Sequence, residues 1–317
     1  MSLAYLPILY DDELFGGWLM RTYKTSPFIY PKHFQKEVFN NDKERFDMLH
    51  INGVSLDFLS AISHKYSYEK IVYYHTLLGF ESLFGPYKPI SPTHGFIRYC
   101  PLCSKEMEDK HIQVLPQIRE LRYCPIHRIE FLNSSLSLNR KINYRIKSID
   151  EFQPITSTSK QLNRDDINIK ISKYIYDILN VARNGYKQQE TSILLRSYIP
   201  QQYFRSASRG QIYIEHFQNA LDIFYRDLEG YNLTVRKTQR LLNGESFNSY
   251  HISLLGLFLG ISPESLVNRV PMKKPRIRRQ ILKLKNLGLS ERAIASKLHI
   301  SKTNVHKTIE KGGEEHA

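Results

Sequence analysis

The chain carries two short cysteine motifs, Cys100-Pro101-Leu102-Cys103 and, after twenty intervening residues, Cys124-Pro125-Ile126-His127. Zn2+ prefers four sulfur or nitrogen ligands in a tetrahedron, and two tight turns that each carry a ligand pair supply that arrangement. All three cysteines of the protein belong to this set. Because four protein ligands leave no coordination position open, we predict a structural zinc site. Its predicted ligands are Cys100, Cys103, Cys124 and His127.

Each motif sits in the same local frame, Arg98-Tyr99-Cys100-Pro101 in the first copy and Arg122-Tyr123-Cys124-Pro125 in the second. The proline fixes φ directly after the first ligand and helps the chain turn back toward the ion. The frame therefore predicts two copies of one zinc-holding knuckle. Two other interpretations stay open: ordinary buried thiols beside a surface histidine, or a redox Cys-x-x-Cys pair that would leave the second motif unexplained.

These motifs resemble the zinc motif of the TniQ/TnsD proteins, the target-site selectors of bacterial transposons. The ligands match in type and order, and residues 6–21, His75-Thr76-Leu77 and residues 250–259 are similar to other family segments. This chain has Pro116-Gln117 where family members commonly carry His-Gln, so no role is transferred from that histidine.

The resemblance implies that the protein itself catalyses no reaction. In this family the selector marks a chosen site and recruits an AAA+ ATPase, which in turn brings the transposase. Some members recognise DNA directly, and others bind to an RNA-guided CRISPR effector complex. Members that bind such complexes form dimers, so the resemblance also allows a homodimer here.

The charge balance points to a polyanionic partner. The 45 Lys and Arg residues exceed the 31 Asp and Glu residues, which gives a formal net charge of +14 over 317 residues. Counterion release then favours binding to nucleic acid. The sequence shows no secretory signal, and the apolar run 254–261 is far shorter than the roughly 20 residues that a membrane span needs. We therefore expect a cytoplasmic protein with no membrane contact, whose thiols stay reduced.

Hydrophobic periodicity predicts a mainly α fold with a few residues of strand or turn around the zinc element. Asp11, Asp12 and Glu13 are interpreted as caps at the positive end of the first helix. The predicted organisation is a TniQ-like helical domain with the zinc motif over 1–132, a linker or loosely packed connection over 133–166, a second helical domain over 167–270 and a basic helix-turn-helix over 271–317.

The C-terminal segment has the pattern of a helix-turn-helix. Helical periodicity is interrupted by Gly288-Leu289-Ser290 and by His299-Ile300-Ser301. Residues 271–311 hold twelve Lys and Arg against two acidic residues, so +10 of the net +14 lies here. Long basic and amide side chains at such a position predict contacts with phosphates and base edges. The predicted DNA-binding residues are Lys302, Thr303, Asn304, His306, Lys307, Arg276, Arg278 and Arg279.

The residues also leave other functions open. A helix-turn-helix can serve protein contact alone, and the basic residues within 236–240 fit a solvated helix face as well as phosphate contact. A zinc-containing transcription regulator would share the DNA-binding signature without an ATPase partner. A recombinase or nuclease needs clustered carboxylates or a nucleophile with a basic clamp, and no such motif stands out. We therefore expect no enzymatic activity and favour a target-site selector.

Overall fold

The computed structural model divides the chain into two compact units, Met1–Leu179 and Asn180–Ala317. Helices predominate among the described residues, which confirms the predicted mainly α fold. The structure describes residues 6–39, 49, 54–85, 95–137, 148–154, 161–183, 191–205, 211–267, 281, 285, 290–298, 302–303, 305–306 and 309.

The first unit consists mostly of short helices, several of which begin at a hydroxyl side chain. Its described helices are α1 (Phe15–Thr25), α2 (Pro31–Val38), α3 (Leu56–Ile62), α4 (Tyr68–Tyr74), α5 (Leu77–Glu81), α6 (Pro101–Glu106) and α7 (Ile167–Arg183), the last of which extends past residue 179. The hydroxyls of Ser55, Ser67 and Thr76 accept hydrogen bonds from backbone N–H groups in the first turns of α3, α4 and α5. These short helices therefore carry their start signals in the sequence.

Helix α1 begins later than the sequence predicts. It starts at Phe15 with Leu14 as its N-cap residue, and no side chain caps it. The interpretation of Asp11, Asp12 and Glu13 as helix caps is therefore wrong. The physical reason is that Asp12 and Glu13 bond to residues elsewhere in the chain, which is described below with the site.

The core of the first unit surrounds the single tryptophan. Trp18 is fully buried, and its indole Nε1 donates a hydrogen bond of 2.9 Å to the carbonyl of Pro7. Its ring stacks on Phe15 at 5.4 Å and meets Tyr66 edge-on at 5.7 Å between centroids. The opening segment is thus packed against α1 rather than free in solvent.

Two strands that form an antiparallel sheet flank the cysteine motifs, one before them in the chain and one after them. Strand β1 (Phe96–Tyr99) pairs with β2 (Leu132–Ser137), with Tyr99 opposite Leu132. The Tyr99 ring also meets Phe152 edge-on at 6.0 Å, and Phe152 is buried. Phe152 and most of β2 lie in the stretch 133–166, which the sequence predicts as a linker or loosely packed connection. In the structure these residues pack within the first unit.

The second unit contains a set of helices around an aromatic core. Its described helices are α8 (Thr191–Tyr198), α9 (Ile214–Phe224), α10 (Val235–Leu242), α11 (Ser249–Phe258), α12 (Pro263–Val267) and α13 (Glu291–Leu298). Phe217, Tyr225 and Leu254 are fully buried, and the Tyr225 hydroxyl donates to the carbonyl of Leu254 at 2.6 Å. The predicted helix over 235–242 with Thr234 as its cap is confirmed, because the Thr234 hydroxyl accepts from the first turn of α10.

Buried polar contacts join α9 to α10. The Thr238 hydroxyl donates to Gln218 Oε1 at 2.6 Å, and Gln218 Nε2 donates to the Leu233 carbonyl at 2.7 Å. Both polar side chains are buried. Breaking either bond would leave a buried polar group unsatisfied, at a cost of about 1–3 kcal/mol. These bonds therefore restrict α10 to one orientation on α9.

The C-terminal segment contains a small apolar cluster. Ile281, Ile294, Ala295 and Val305 are buried together, and Ile309 packs against them. Sequence periodicity predicts all of these as inward-facing residues. Both turns that would define the helix-turn-helix, at 288–290 and 299–301, lie wholly or largely outside the described residues, so that motif stays a prediction.

Among the described helices, none is long and apolar enough to cross a membrane.

His251 couples the stability of the second unit to pH. Its Nε2 lies 2.9 Å from Asn232 Oδ1, in the segment before α10. Burial, with a smaller contribution from the Lys237 charge, lowers the pKa of His251 to about 4. Below its ordinary pKa of about 6.5 the unfolded chain takes up a proton that the folded chain resists. Folded stability is therefore lost as the pH falls from about 6.5 toward 4.

We expect the wild type to lose about 2 kcal/mol of unfolding free energy relative to His251→Gln between pH 7.5 and pH 5. Urea unfolding of both proteins at the two pH values measures this, and taking the difference between them cancels the titration of all other groups. A difference that stays constant with pH would contradict the prediction.

Candidate metal centre

The first cysteine motif is held by the junction of β1 and α6. Strand β1 ends at Tyr99, Cys100 is the N-cap residue of α6, and Pro101 occupies its first turn. The backbone N–H of Cys103 donates to Cys100 Sγ at 3.5 Å. The proline thus starts the helix and brings Cys103 round to the same side as Cys100.

The second motif repeats this arrangement in a turn. The backbone N–H of His127 donates to Cys124 Sγ, again at 3.5 Å, and the N–H of Arg128 donates to the Cys124 carbonyl at 2.8 Å. Arg128 adopts a left-handed conformation with φ of 60°, which returns the chain so that the Cys124 N–H reaches the carbonyl of Ile129 at 2.8 Å. The two motifs therefore use the same N–H to sulfur contact.

The structure brings all four predicted ligands together. One ligand atom from each lies within 4.8 Å of the others. The His127 Nδ1 is 3.5 Å from Cys100 Sγ, 3.2 Å from Cys103 Sγ and 3.8 Å from Cys124 Sγ. The two sulfurs of Cys103 and Cys124 are 3.7 Å apart. A tetrahedron with bonds of about 2.0–2.3 Å has edges of about 3.5–3.8 Å, so the group fits one metal ion.

The electrostatics of the cluster favour a cation. Hydrogen bonding with Cys100, together with Cys124 and burial, raises the pKa of the Cys103 thiol. Hydrogen bonds from Cys100 and Cys103 lower the pKa of Cys124. Three thiolates in so small a buried volume repel one another, and a divalent ion relieves that repulsion by replacing the thiol protons.

The histidine is oriented from outside the cluster. His127 Nδ1 faces the sulfurs, and its Nε2 lies 3.0 Å from Glu106 Oε1 at the end of α6. A carboxylate on the far nitrogen holds the ring and its tautomer in the form that binds metal. The returning chain also fixes this turn, because the Leu162 N–H donates to the Arg128 carbonyl at 2.8 Å and Gln161 Nε2 to the His127 carbonyl at 3.1 Å.

Gln117 and Arg98 support the first motif, and sequence reasoning assigned neither of them this role. Gln117 is buried, accepts from the Arg98 N–H at 3.1 Å and donates to the Arg98 carbonyl at 2.7 Å. The Arg98 guanidinium donates to the carbonyls of Leu121 at 2.8 Å and Ile118 at 2.5 Å. Burial lowers its pKa to about 10. The repeated frame is the signal that could have singled out Arg98, although its counterpart Arg122 is exposed.

Two of the three opening acids, Asp12 and Glu13, are engaged by other side chains. Glu13 is fully buried and pairs with Arg21 at 2.8 Å and 3.0 Å, while Asp12 bonds to His111 at 2.8 Å and Gln113 at 2.7 Å. Burial raises the pKa of Glu13 to about 6, although the Arg21 charge opposes the shift. The Asp12 pairs tie the opening segment to residues 111–113, which precede the second cysteine motif.

The predicted DNA-binding residues are only partly described. Lys302, Thr303 and His306 are exposed, next to the buried Val305. His306 Nδ1 lies 3.3 Å from Glu291 Oε1 at the start of α13. The other five predicted contacts, Asn304, Lys307, Arg276, Arg278 and Arg279, lie outside the described residues.

Fold and site together define a helical domain closed by a candidate Cys3His metal centre. A family model described as TniQ matches residues 4–131. The N-terminal part of the chain is therefore a TniQ domain, and the resemblance to the TniQ/TnsD family is confirmed. Comparison with curated protein sequences finds no match. The TniQ domain supports a transposition-associated protein, in a family that is generally non-catalytic.

We expect Cys103→Ser to lose bound metal and to unfold much of the first unit, because a serine hydroxyl is a poor ligand and β1, α6 and β2 meet at the cluster. Metal analysis of protein purified without added metal, together with circular dichroism, measures both effects. A full metal complement in the variant would overturn the assignment of Cys103 as a ligand.

We further expect Glu106→Gln to weaken metal affinity by about 10–100-fold, because the amide no longer holds the His127 ring as the carboxylate does. Competition with a chromophoric chelator gives the affinity. Glu108→Gln is the matched control, since it removes an exposed carboxylate from the same segment and is expected to leave affinity unchanged. Equal affinities in the two variants would rule out a role for Glu106.

Proposed function

We propose that this protein is a non-catalytic target-site selector of DNA transposition. It would bind target DNA, or an RNA-guided complex already bound to its target, and recruit an AAA+ ATPase regulator. The observation that carries the proposal is the Cys3His cluster, with all ligand atoms within 4.8 Å, inside a TniQ domain. In such a protein the cluster maintains a surface for partners and performs no chemistry.

The proposed ion is structural Zn2+. Three sulfurs and one imidazole nitrogen are the donors that zinc sites of this kind use, and sulfur disfavours the hard ions Mg2+ and Ca2+. Four protein ligands leave no position for a substrate or an activated water. Reduced cysteines are needed as ligands, which fits our proposal of a cytoplasmic location.

The C-terminal segment is the proposed DNA-binding element. It carries +10 of the net +14 charge over residues 271–311. Lys302 and Thr303 are exposed beside the buried Val305, as expected for the start of a recognition helix. In this proposal the helix-turn-helix contacts phosphates and base edges through the residues predicted above.

The proposal also includes partners that follow from the family resemblance. An AAA+ ATPase is the expected downstream partner, and an RNA-guided CRISPR effector complex is the alternative to direct DNA reading. A homodimer would suit binding to a CRISPR effector complex. The two routes differ in whether this chain alone prefers one DNA sequence.

The DNA part of the proposal is tested with Lys302→Ala combined with Lys307→Ala. We expect weaker binding to duplex DNA and a salt slope flatter by about one for each lost phosphate contact. Fluorescence anisotropy on random duplexes at several salt concentrations measures both. The matched control is Lys32→Ala with Lys70→Ala, two exposed lysines of the TniQ domain. Equal effects of the two double variants would contradict a specific role of the C-terminal segment.

The same purified protein is then scored on a genomic fragment library. Salt-resistant enrichment of one sequence supports direct reading, whereas salt-sensitive and sequence-blind binding supports choice by an RNA-guided partner. Association with a transposon AAA+ ATPase in the presence of ATP tests recruitment. Absence of both DNA binding and ATPase association would overturn the proposed function.

A further inference from the structure

Helix α10 presents one continuous exposed face that contains no acidic residue. Arg236, Gln239, Arg240 and Asn243 are all exposed, at the i, i+3, i+4 and i+7 spacing that places side chains on one side of a helix. Val235 is exposed at the edge of this face. We call these four polar residues the α10 face.

The opposite side of α10 is anchored in the second unit. Leu241 and Leu242 are each 2% exposed, and Thr238 is fully buried with its hydroxyl bonded to Gln218. A helix held by both apolar packing and a buried hydrogen bond cannot rotate without breaking them. The backbone positions that carry the α10 face are therefore fixed within the second unit.

The side chains of the α10 face make few hydrogen bonds to the other described residues of the protein. Asn243 Nδ2 donates to Glu245 Oε1 at 3.2 Å, Arg240 Nη2 donates to the Glu245 carbonyl at 3.4 Å, and Arg196 Nη1 donates to Asn243 Oδ1 at 3.4 Å. Within the described part of the chain, Arg236 and Gln239 show no side-chain hydrogen bond. Glu245 is thus the one acid that contacts the α10 face among the described residues, and Arg196 adds a third guanidinium beside it.

The chemistry of the α10 face matches the edges of base pairs. Arginine pairs with guanine O6 and N7, and glutamine or asparagine pairs with adenine N6 and N7, in both cases through two hydrogen bonds. An α-helix with its side chains is about 10–12 Å across. The major groove of B-DNA is about 12 Å wide and admits such a helix.

We propose that α10 is a DNA-reading helix that enters the major groove of duplex DNA, separate from the C-terminal segment. This inference rests on the proposed function in taking DNA as the ligand. Arg236 and Arg240 contact guanine edges or flanking phosphates, and Gln239 contacts an adjacent adenine. A protein partner fits less well, because interface hot spots combine arginine with tryptophan and tyrosine, and the α10 face has no aromatic residue. Double-stranded RNA fits less well because its major groove is too narrow and deep for side chains to read.

The test compares two charge-matched double variants of the full chain. Arg236→Gln with Arg240→Gln removes the guanidinium groups of the α10 face. Arg226→Gln with Arg164→Gln removes the same charge from two exposed arginines outside α10. We expect the first pair to weaken binding to a preferred duplex by about tenfold or more, and the control pair by much less. Because all four residues are exposed, both variants should fold, and circular dichroism checks this.

Base reading is separated from phosphate contact by Gln239→Ala, which carries no charge change. We expect this variant to lose the preference for adenine at one position of an enriched sequence while its binding to random duplex stays the same. Unchanged base preferences in both the Gln239→Ala and the arginine variants would overturn base reading by α10.

The outcomes also separate this inference from the proposed function. A wild type that binds no DNA but associates with the ATPase overturns the α10 inference and leaves the proposed function standing, whereas the absence of both activities overturns both. If the C-terminal lysine variant weakens binding while the α10 pair behaves like its control, the α10 inference alone is overturned. Retained DNA binding with lost ATPase association in the α10 pair would show a protein contact and would also overturn it.

Discussion

The first unit depends on three sulfurs and one ring nitrogen that converge within 4.8 Å. Cys100 starts α6, Cys124 closes a turn, and β1 and β2 flank the two motifs, so the cluster and the β1–β2 pairing join the same segments of the chain. Buried thiolates this close repel one another unless a cation lies between them. Metal binding and folding of this region are therefore expected to be one event.

Polar side chains of the TniQ domain bond to the backbone and to one another. Gln117 and the Arg98 guanidinium bond to main-chain atoms on both sides of the first motif. Glu13 and Asp12 are engaged by Arg21 and His111. A small helical domain that must present a defined surface needs such ties, because its short helices bury little apolar area on their own.

In the second unit, burial distinguishes basic residues that look equivalent in the sequence. In sequence, Arg236, Lys237 and Arg240 fit an ordinary solvated face. In the structure Lys237 is half-buried and bonds to Asn232 at 2.9 Å, whereas Arg236 and Arg240 share one exposed side of α10 with Gln239. The Thr238–Gln218 contact decides which side that is, because a buried hydroxyl and amide must satisfy each other.

The sequence alone determined the candidate ligand set, most of the helices and the position of the charge, because ligand spacing, apolar periodicity and composition are local properties. Only the tertiary structure decided that Arg98 is buried and Arg122 exposed in identical frames, and that Glu13 is buried while Asp12 pairs with His111. These outcomes depend on partners far along the chain, as with Asp12 and His111, which are 99 residues apart. No local pattern encodes such a pairing, since it arises only when distant segments pack together.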